Sequence, residues 1–238
     1  MALDVIKMFT KYNHDVINNK KNDWIVIHWV GNKSSAIDNG KYFANGERGA
    51  SAHYFVDDDN VVQSVREGHV AYAVGSNGYL DQGSPYASEG HKYYGKCTNR
   101  NSISIEMCCS KDKNGKLYIT DKTIERTGIL VRGIQKRNNI DDDHVIRHFD
   151  VNGKICPGLY IERLSWEKLH SKLVGKYFKI KAKGDLIARK TSSTLSAKTR
   201  TLEKGKVYGI IATNKKGTRG KTVKGDWSTI TDKYVEKL

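Results

Sequence analysis

The 238-residue sequence predicts an α/β domain with a mixed central sheet flanked by helices, followed by a small all-β barrel. Apolar strand-like runs alternate with helix-like segments up to about residue 174, as expected of a sheet covered by helices. From residue 175 onward, short segments rich in Lys, Thr and Gly alternate with brief apolar runs, and no helical period is visible. We therefore place the domains at residues 1–174 and 175–238, with the larger core in the first.

The elements of the first domain follow from local patterns of apolar and turn residues. Residues 4–9 are expected to begin a short helix, and residues 147–158 to form a loop. The polar segment from about 75 to 101 is too long for a plain connector, which is typical of a functional or mobile loop. The remaining predictions are strands at 24–30, 52–56, 61–65 and 102–109, helices capped by Ser34 and Asp121, and a last helix around 164–173.

The positive charge is concentrated in the C-terminal part. Residues 176–238 hold 17 Lys and Arg against five Asp and Glu, whereas residues 1–175 hold 24 against 21. Such asymmetry indicates an anionic partner, and nucleic acid, anionic lipid and anionic cell-wall polymers all qualify on charge. No apolar run approaches the roughly 18 residues that a membrane-spanning helix needs, so we expect no membrane span. The N-terminus lacks the features of a signal peptide, which predicts synthesis in the cytoplasm.

The four cysteines do not form a recognisable disulfide framework. Cys108 and Cys109 are adjacent on a predicted strand, where their side chains would point to opposite faces. We expect Cys97, Cys108 and Cys109 to be reduced, buried thiols, because free cysteine usually behaves as a small apolar residue.

The segment from Arg147 to Gly158 contains the most informative chemistry. It places His148, Lys154 and Cys156 at spacings of six and two, and upstream His28 ends a predicted interior strand. A lone histidine there would usually be structural, but histidine and thiolate together are preferred zinc ligands. Two histidines and one cysteine leave a fourth position for water, and Lys154 would add a nearby cation. The pattern predicts metal-assisted hydrolysis.

Two further segments, residues 51–56 and 101–107, accompany this motif in order. Together they resemble the zinc-dependent N-acetylmuramoyl-L-alanine amidases of the type-2 amidase and peptidoglycan-recognition superfamily, over nearly all of residues 1–172. Within that superfamily the sequence is most similar to phage endolysins and prophage autolysins of Gram-positive bacteria. The resemblance implies that the substrate is bacterial peptidoglycan.

The resemblance also implies roles for individual residues. His28, His148 and Cys156 would bind Zn²⁺, Glu106 would act as the general base, and Lys154 would stabilise the oxyanion. These roles are physically reasonable, because a carboxylate can relay a proton and a lysine can neutralise charge that develops in the transition state. The alternative for Glu106 is a solvent-facing strand carboxylate, but its neighbours are apolar.

Other positions depart from the superfamily pattern or have lesser expected roles. Some members carry a catalytic tyrosine where Ala52 stands, so the base role here falls on Glu106. Many carry Trp-His where this chain has Tyr72 and Ala73. We expect His53 to be structural. Arg147 and Asp150 are candidates for orienting a ligand. The remaining histidines, expected at the surface or behind the site, are His14, His69, His91, His144 and His170.

The C-terminal part resembles bacterial SH3-like wall-binding modules at residues 186–193, 202–207 and 225–230. Trp227 is interpreted either as core packing or as an aromatic platform for glycan or peptide. Four basic residues are inserted relative to these modules. They are interpreted either as a solvent-exposed surface or as a binding site for phosphate-rich wall polymer. They are Lys215, Lys216, Arg219 and Lys221.

These observations predict a peptidoglycan hydrolase that cleaves the amide between N-acetylmuramic acid and L-alanine. Its partners would be peptidoglycan and possible anionic wall polymers, and it would reach the wall through a phage-encoded pore. A bacterial autolysin is the near alternative. A non-catalytic peptidoglycan receptor is a second, although Cys156 and Lys154 argue against it. A nucleic-acid-binding protein is a third, disfavoured because no recognition helix or aromatic array is visible.

Overall fold

The computed structural model describes residues 3–75 and 90–238, which divide into two compact units. The first unit ends at Glu162 and the second is Arg163–Leu238. The predicted boundary after residue 174 stays a prediction, and the helix that precedes it groups with the second unit. Residues 76–89, within the long segment predicted at 75–101, lie outside the described residues.

The first unit combines a central sheet with helices, as predicted. Its strands are β1 (Val5–Lys7), β2 (His14–Val16), β3 (Trp24–Lys33), β4 (Tyr54–Val56), β5 (Val61–Gln63), β6 (His69–Ala71), β7 (Ser102–Lys111), β8 (Leu117–Tyr118) and β9 (Val145–Arg147). Its α-helices are α1 (Ala36–Ala44), α2 (Asp121–Asn138) and α3 (His148–Asn152). Two short 3₁₀ helices occur at Asp142–His144 and Gly158–Tyr160.

The central sheet is mixed, with strand order β1-β5-β4-β7-β3-β9 and β8 at the side of β7. β4, β7, β3 and β9 run parallel to their neighbours, while β5 is antiparallel to β4. β2 and β6 form a separate antiparallel pair. The first four residues of β3 are all buried, which explains why that run is apolar on both faces. His28 is the last buried residue of β3, and the strand continues to Lys33, so the prediction that the strand ends at His28 was wrong.

Other local predictions were also wrong. Residues 5–7 form strand β1, because Val5 pairs in parallel with Val61 of β5, and that partner is distant in sequence. The helix caps lie one residue away from the predicted ones, at Ser35 and Thr120, whose hydroxyls accept hydrogen bonds from the first helical turn. Part of the predicted loop at 147–158 is helix α3.

The second unit contains helix α4 (Arg163–Leu173) and an all-β region. Its strands are β10 (Phe178–Ala182), β11 (Leu186–Arg189), β12 (Lys198–Leu202), β13 (Val207–Thr213), β14 (Arg219–Thr222), β15 (Trp227–Thr229) and β16 (Val235–Lys237). They form one antiparallel sheet of order β12-β11-β15-β14-β13-β10-β16 around an apolar core that includes Ile180, Leu202 and Ile210. The all-β prediction is confirmed, and the SH3-like topology stays a prediction.

Cys97, Cys108 and Cys109 are buried free thiols, as predicted. Within residues 3–75 and 90–238, none of the helices combines the length and apolar character needed to cross a bilayer.

Candidate active site

The register of the two central strands places His28 beside Glu106. His28 of β3 lies directly opposite Glu106 of β7 in the parallel ladder, so that the two side chains share one face of the sheet. His28 is 2% exposed, and its Nδ1 lies 3.9 Å from Glu106 Oε1. The sheet itself thus joins a candidate ligand to a candidate base.

Helix α3 and the turn after it bring His148 and Cys156 to the same face. β9 pairs with β3, and His148 follows it directly as the first residue of α3. Gly153 adopts a positive φ of 79° and ends the helix, which lets the chain reverse. The Phe149 amide then donates to the Cys156 carbonyl over 2.9 Å and closes the turn. Cys156 is thereby held next to His28 and His148.

The three candidate ligands converge in a way that fits zinc. One ligand atom each from His28, His148 and Cys156 lie within 4.8 Å of one another. Cys156 Sγ lies 3.7 Å from His28 Nδ1. Tetrahedral zinc with bonds of about 2.0–2.1 Å to nitrogen and about 2.3 Å to sulfur would separate these atoms by about 3.6 Å. The described protein atoms offer no hydrogen bond to either ring nitrogen of His148, which leaves a nitrogen of that ring available to a ligand.

Burial sets the protonation of the two histidines. It lowers the pKa of His28 well below its ordinary value, with smaller contributions from the positive charges of His148 and Lys154. It also lowers the pKa of His148 to about 3. Both rings are therefore neutral at physiological pH, which is the form that binds a metal. Burial raises the pKa of the Cys156 thiol, and a bound dication would counter that effect by favouring the thiolate.

Glu106 has the environment of a proton-relaying carboxylate. Burial raises the pKa of Glu106 to about 7, and the nearby Lys154 charge partly opposes the rise. No hydrogen-bond donor in the described part of the chain reaches its Oε2 atom. Lys154 is exposed and borders the same cavity. A carboxyl with a pKa near neutrality can both accept and return a proton.

All five predicted site residues line one open cavity of about 280 Å³. Tyr72 and Ser51 form part of its wall, and two hydrogen bonds join them: the Tyr72 amide donates to the Ser51 hydroxyl, and the Ser51 amide donates to the Tyr72 carbonyl. Ile155 is 39% exposed between Lys154 and Cys156, which places an apolar side chain at the rim. The residues lining the cavity are His28, Trp29, Val30, Gly31, Phe43, Ala50, Ser51, Ala52, Phe55, Tyr72, Ala73, Glu106, His148, Lys154, Ile155 and Cys156.

Trp29 and Gly158 support Cys156, although neither residue was predicted to belong to the site. The Trp29 backbone amide donates a hydrogen bond to the Cys156 sulfur. A methyl group added at Gly158 would overlap the Trp29 ring, so only glycine allows this approach. The Pro-Gly pair after Cys156 predicts a turn from the sequence alone. The contact of Gly158 with Trp29 could not be predicted in this way, because the two residues are more than a hundred positions apart.

Arg147 and Asp150 hold α3 rather than contacting a ligand directly. The Asp150 carboxylate accepts from the Arg147 amide over 2.8 Å and from the Arg147 guanidinium over 2.7 Å. The same guanidinium donates to the carbonyls of Tyr160 and Ile161. This buried ion pair ties the start of α3 to the segment beyond Pro157, and so fixes the two ends of the ligand-bearing turn.

His53 has the structural environment that we predicted. It is fully buried, its Nδ1 accepts from the Ser104 amide over 3.0 Å, and its Nε2 lies 3.1 Å from the His69 carbonyl. Burial lowers the pKa of His53 to about 3. Other histidines contact aromatic rings away from the ligands: His14 stacks on His69, His144 packs on Trp24, and His170 packs on Trp166.

The sequence of the chain is similar to those of known amidases. A family model described as N-acetylmuramoyl-L-alanine amidase matches residues 18–159. Among curated relatives, "N-acetylmuramoyl-L-alanine amidase CwlL" of Bacillus licheniformis is 29% identical over 206 residues, covering 84% of this chain and 50% of the relative. "N-acetylmuramoyl-L-alanine amidase CwlA" of Bacillus subtilis (strain 168) is also 29% identical, covering 84% of this chain and 69% of the relative. The chain thus spans about half of the first relative's length.

Solved structures support the fold. A chain described as "Mutant endolysin from Bacillus subtilis" matches with a TM-score of 0.55 at 21% identity, covering 72% of this chain and 99% of its own. A structure described as "Structure of PlyL" matches with a TM-score of 0.53 at 23% identity, covering 72% and 97%.

Proposed function

Because the chain belongs to the N-acetylmuramoyl-L-alanine amidase family, we propose that it is a zinc-dependent peptidoglycan hydrolase. It would cleave the amide between the lactyl group of N-acetylmuramic acid and L-alanine of the stem peptide. The observation that carries the proposal is the meeting of three ligand atoms from His28, His148 and Cys156 with the buried Glu106 in one open cavity.

His28, His148 and Cys156 would hold the metal, since two neutral imidazoles and a thiolate match the donor preference of zinc. When bound, zinc lowers the pKa of water and polarises a carbonyl oxygen. The three side chains belong to a packed strand and a hydrogen-bonded turn. The protein therefore supplies a rigid, partly dry site whose open side faces the cavity.

Glu106 would take a proton from the attacking water and pass it to the leaving amine of alanine. Its raised pKa suits both halves of this transfer, because the carboxylate is basic enough to accept and acidic enough to return the proton. Lys154 would stabilise the negative charge that develops on the carbonyl oxygen. Its exposed position at the cavity suits a group that acts on the substrate.

The second unit would hold the enzyme on the cell wall as an SH3-like module. The positive charge of this unit supports wall binding, because residues 163–238 hold 20 Lys and Arg but only six Asp and Glu. We further propose that the protein is a phage or prophage endolysin made in the cytoplasm and released through a pore. A bacterial autolysin with the same chemistry is the alternative.

The test is to incubate the purified protein with Gram-positive cell walls, in zinc and in chelator, and to follow new amino groups and new reducing ends. We expect zinc-dependent release of N-terminal alanine without new reducing ends. New reducing ends would indicate a glycosidase and contradict the proposal. Wall binding without release of either group would favour the receptor alternative.

A further inference from the structure

The outer face of three neighbouring strands in the second unit carries two arginines and a tryptophan. Arg189 of β11 and Lys221 of β14 both lie opposite Trp227 of β15, and Arg219 of β14 lies opposite Thr229 of β15. Directly opposed residues point to the same side of a ladder, and residues two apart on one strand share that side. The alternate positions on all three strands are buried, so this side is the outer one. We call Arg189, Arg219 and Trp227 the arginine face.

The two arginines are half-buried but have no carboxylate partner in the described part of the chain. Arg189 donates to the Ser196 carbonyl over 2.7 Å, and Arg219 donates to the Trp227 carbonyl over 3.0 Å. Two other half-buried cations of the same unit are paired with acids: Lys221, on the same face, contacts Glu167, and Arg200 contacts Asp226. Arg189 and Arg219 differ from Lys221 and Arg200, because no carboxylate in the described part of the chain neutralises them.

Two unpaired guanidinium groups held together are unfavourable unless an anion joins them. Burial lowers the pKa of Arg219, and the positive charge of Arg189 lowers it further, which indicates that the two groups lie close together. A partly desolvated charge without a counterion costs free energy. Guanidinium groups bind phosphate and carboxylate through paired hydrogen bonds, so an oxyanion would relieve this cost.

We propose that the arginine face binds phosphate groups of an anionic phosphodiester polymer of the cell wall, with Trp227 packing against its sugar or polyol backbone. The unit's excess of 14 positive charges favours a polyanion over a small anion, because a long-range field attracts repeated charges. Nucleic acid is less favoured, since single strands stack successive bases on several aromatic rings and this face presents one. The choice of a wall polymer rests on the proposed function, whereas anion binding does not.

The test measures binding of the full-length protein to purified poly(glycerol phosphate) by fluorescence anisotropy at several salt concentrations. Combining Arg189→Gln with Arg219→Gln is expected to weaken binding at least about tenfold and to reduce the salt slope by about one to two. The matched control combines Lys204→Gln with Lys206→Gln, which removes the same charge at the turn after β12, beyond the opposite end of β11. We expect the control to change affinity by less than about twofold.

Thermal unfolding shows whether the variants fold. The single variant Arg189→Gln provides a second check, because it leaves the Arg219 hydrogen bond to the Trp227 carbonyl in place. Equal losses in the arginine and lysine variants would mean that only net charge matters, which would overturn the proposal. Equal affinity of the wild type for duplex DNA of matched charge would also overturn it. Turnover of a soluble muropeptide should be unchanged in every variant, so failure of the hydrolase proposal would be seen separately.

Discussion

At the scale of single residues, the candidate site depends on neutral histidines and a carboxyl whose pKa is raised. Burial is the main cause of both effects, since it disfavours the charged forms of His28, His148 and Glu106. The ligand residues could be predicted from their types and spacing. The raised pKa of Glu106 could only be suspected from its apolar neighbours, because it depends on how strands β3 and β7 pack.

We predict that Glu106→Gln lowers kcat on a soluble muropeptide by about 100-fold or more. Glutamine keeps the shape of the side chain but cannot accept the proton, so the zinc content should be unchanged. The control is Glu125→Gln, which alters an exposed carboxylate on α2 and should leave kcat unchanged. Steady-state kinetics with metal analysis measures both, and wild-type turnover in Glu106→Gln would refute the base role.

At the scale of elements, the structure shows which parts depend on distant partners. Strands β3 and β7 were predicted because their long apolar runs identify buried strands locally. Strand β1 was mistaken for a helix, since its three residues acquire their conformation by pairing with β5. The contact between Gly158 and Trp29 was missed for the same reason. Local patterns reveal an element, whereas its packing partner depends on the tertiary fold.

Gly158→Ala tests the support of Cys156. The added methyl group would press on the Trp29 ring and displace the turn that carries the sulfur, so we predict weaker zinc binding, by about tenfold or more. The control is Gly68→Ala, where an added methyl group meets no described atom within 4 Å. Competition with a zinc-sensitive dye measures affinity directly, and equal affinities for the two variants would argue against this positioning role.

Asp226 provides a pH test of the second unit. Burial raises its pKa, but hydrogen bonds from Arg200 and Thr222 outweigh burial and hold the pKa below the ordinary 3.8. The folded state therefore binds the proton less readily than the unfolded state. The resulting stability is present above about pH 4 and is lost as the pH falls through the folded pKa.

We expect Asp226→Asn to lower the melting temperature of the second unit at pH 6 by several degrees, and to reduce its loss of stability on acidification. The hydrogen-bonded carboxylate is worth about 1.5–3 kcal/mol when charged. Asp232→Asn is the control, because that side chain is 86% exposed. Calorimetry of the full chain at pH 6 and pH 3 provides the measurement, and parallel profiles for wild type and Asp226→Asn would contradict the assignment.

At the scale of the whole molecule, chemistry and charge are divided between the two units. Residues 1–162 hold 21 Lys and Arg against 20 Asp and Glu, and they contain every candidate catalytic and metal-binding residue. Residues 163–238 hold 20 against six. This division was visible in the sequence, because charge needs no knowledge of the fold. The arginine face was not, since strand register is what brings Arg189, Arg219 and Trp227 together.

The most direct test of the zinc site is Cys156→Ser, assayed for metal content, turnover and wall binding. A hydroxyl is a much poorer zinc ligand than a thiolate, so we predict that bound zinc falls from about one per chain to a small fraction. Turnover should be lost with it, while binding to purified walls is retained. Full zinc content and unchanged turnover in Cys156→Ser would contradict the account of this site.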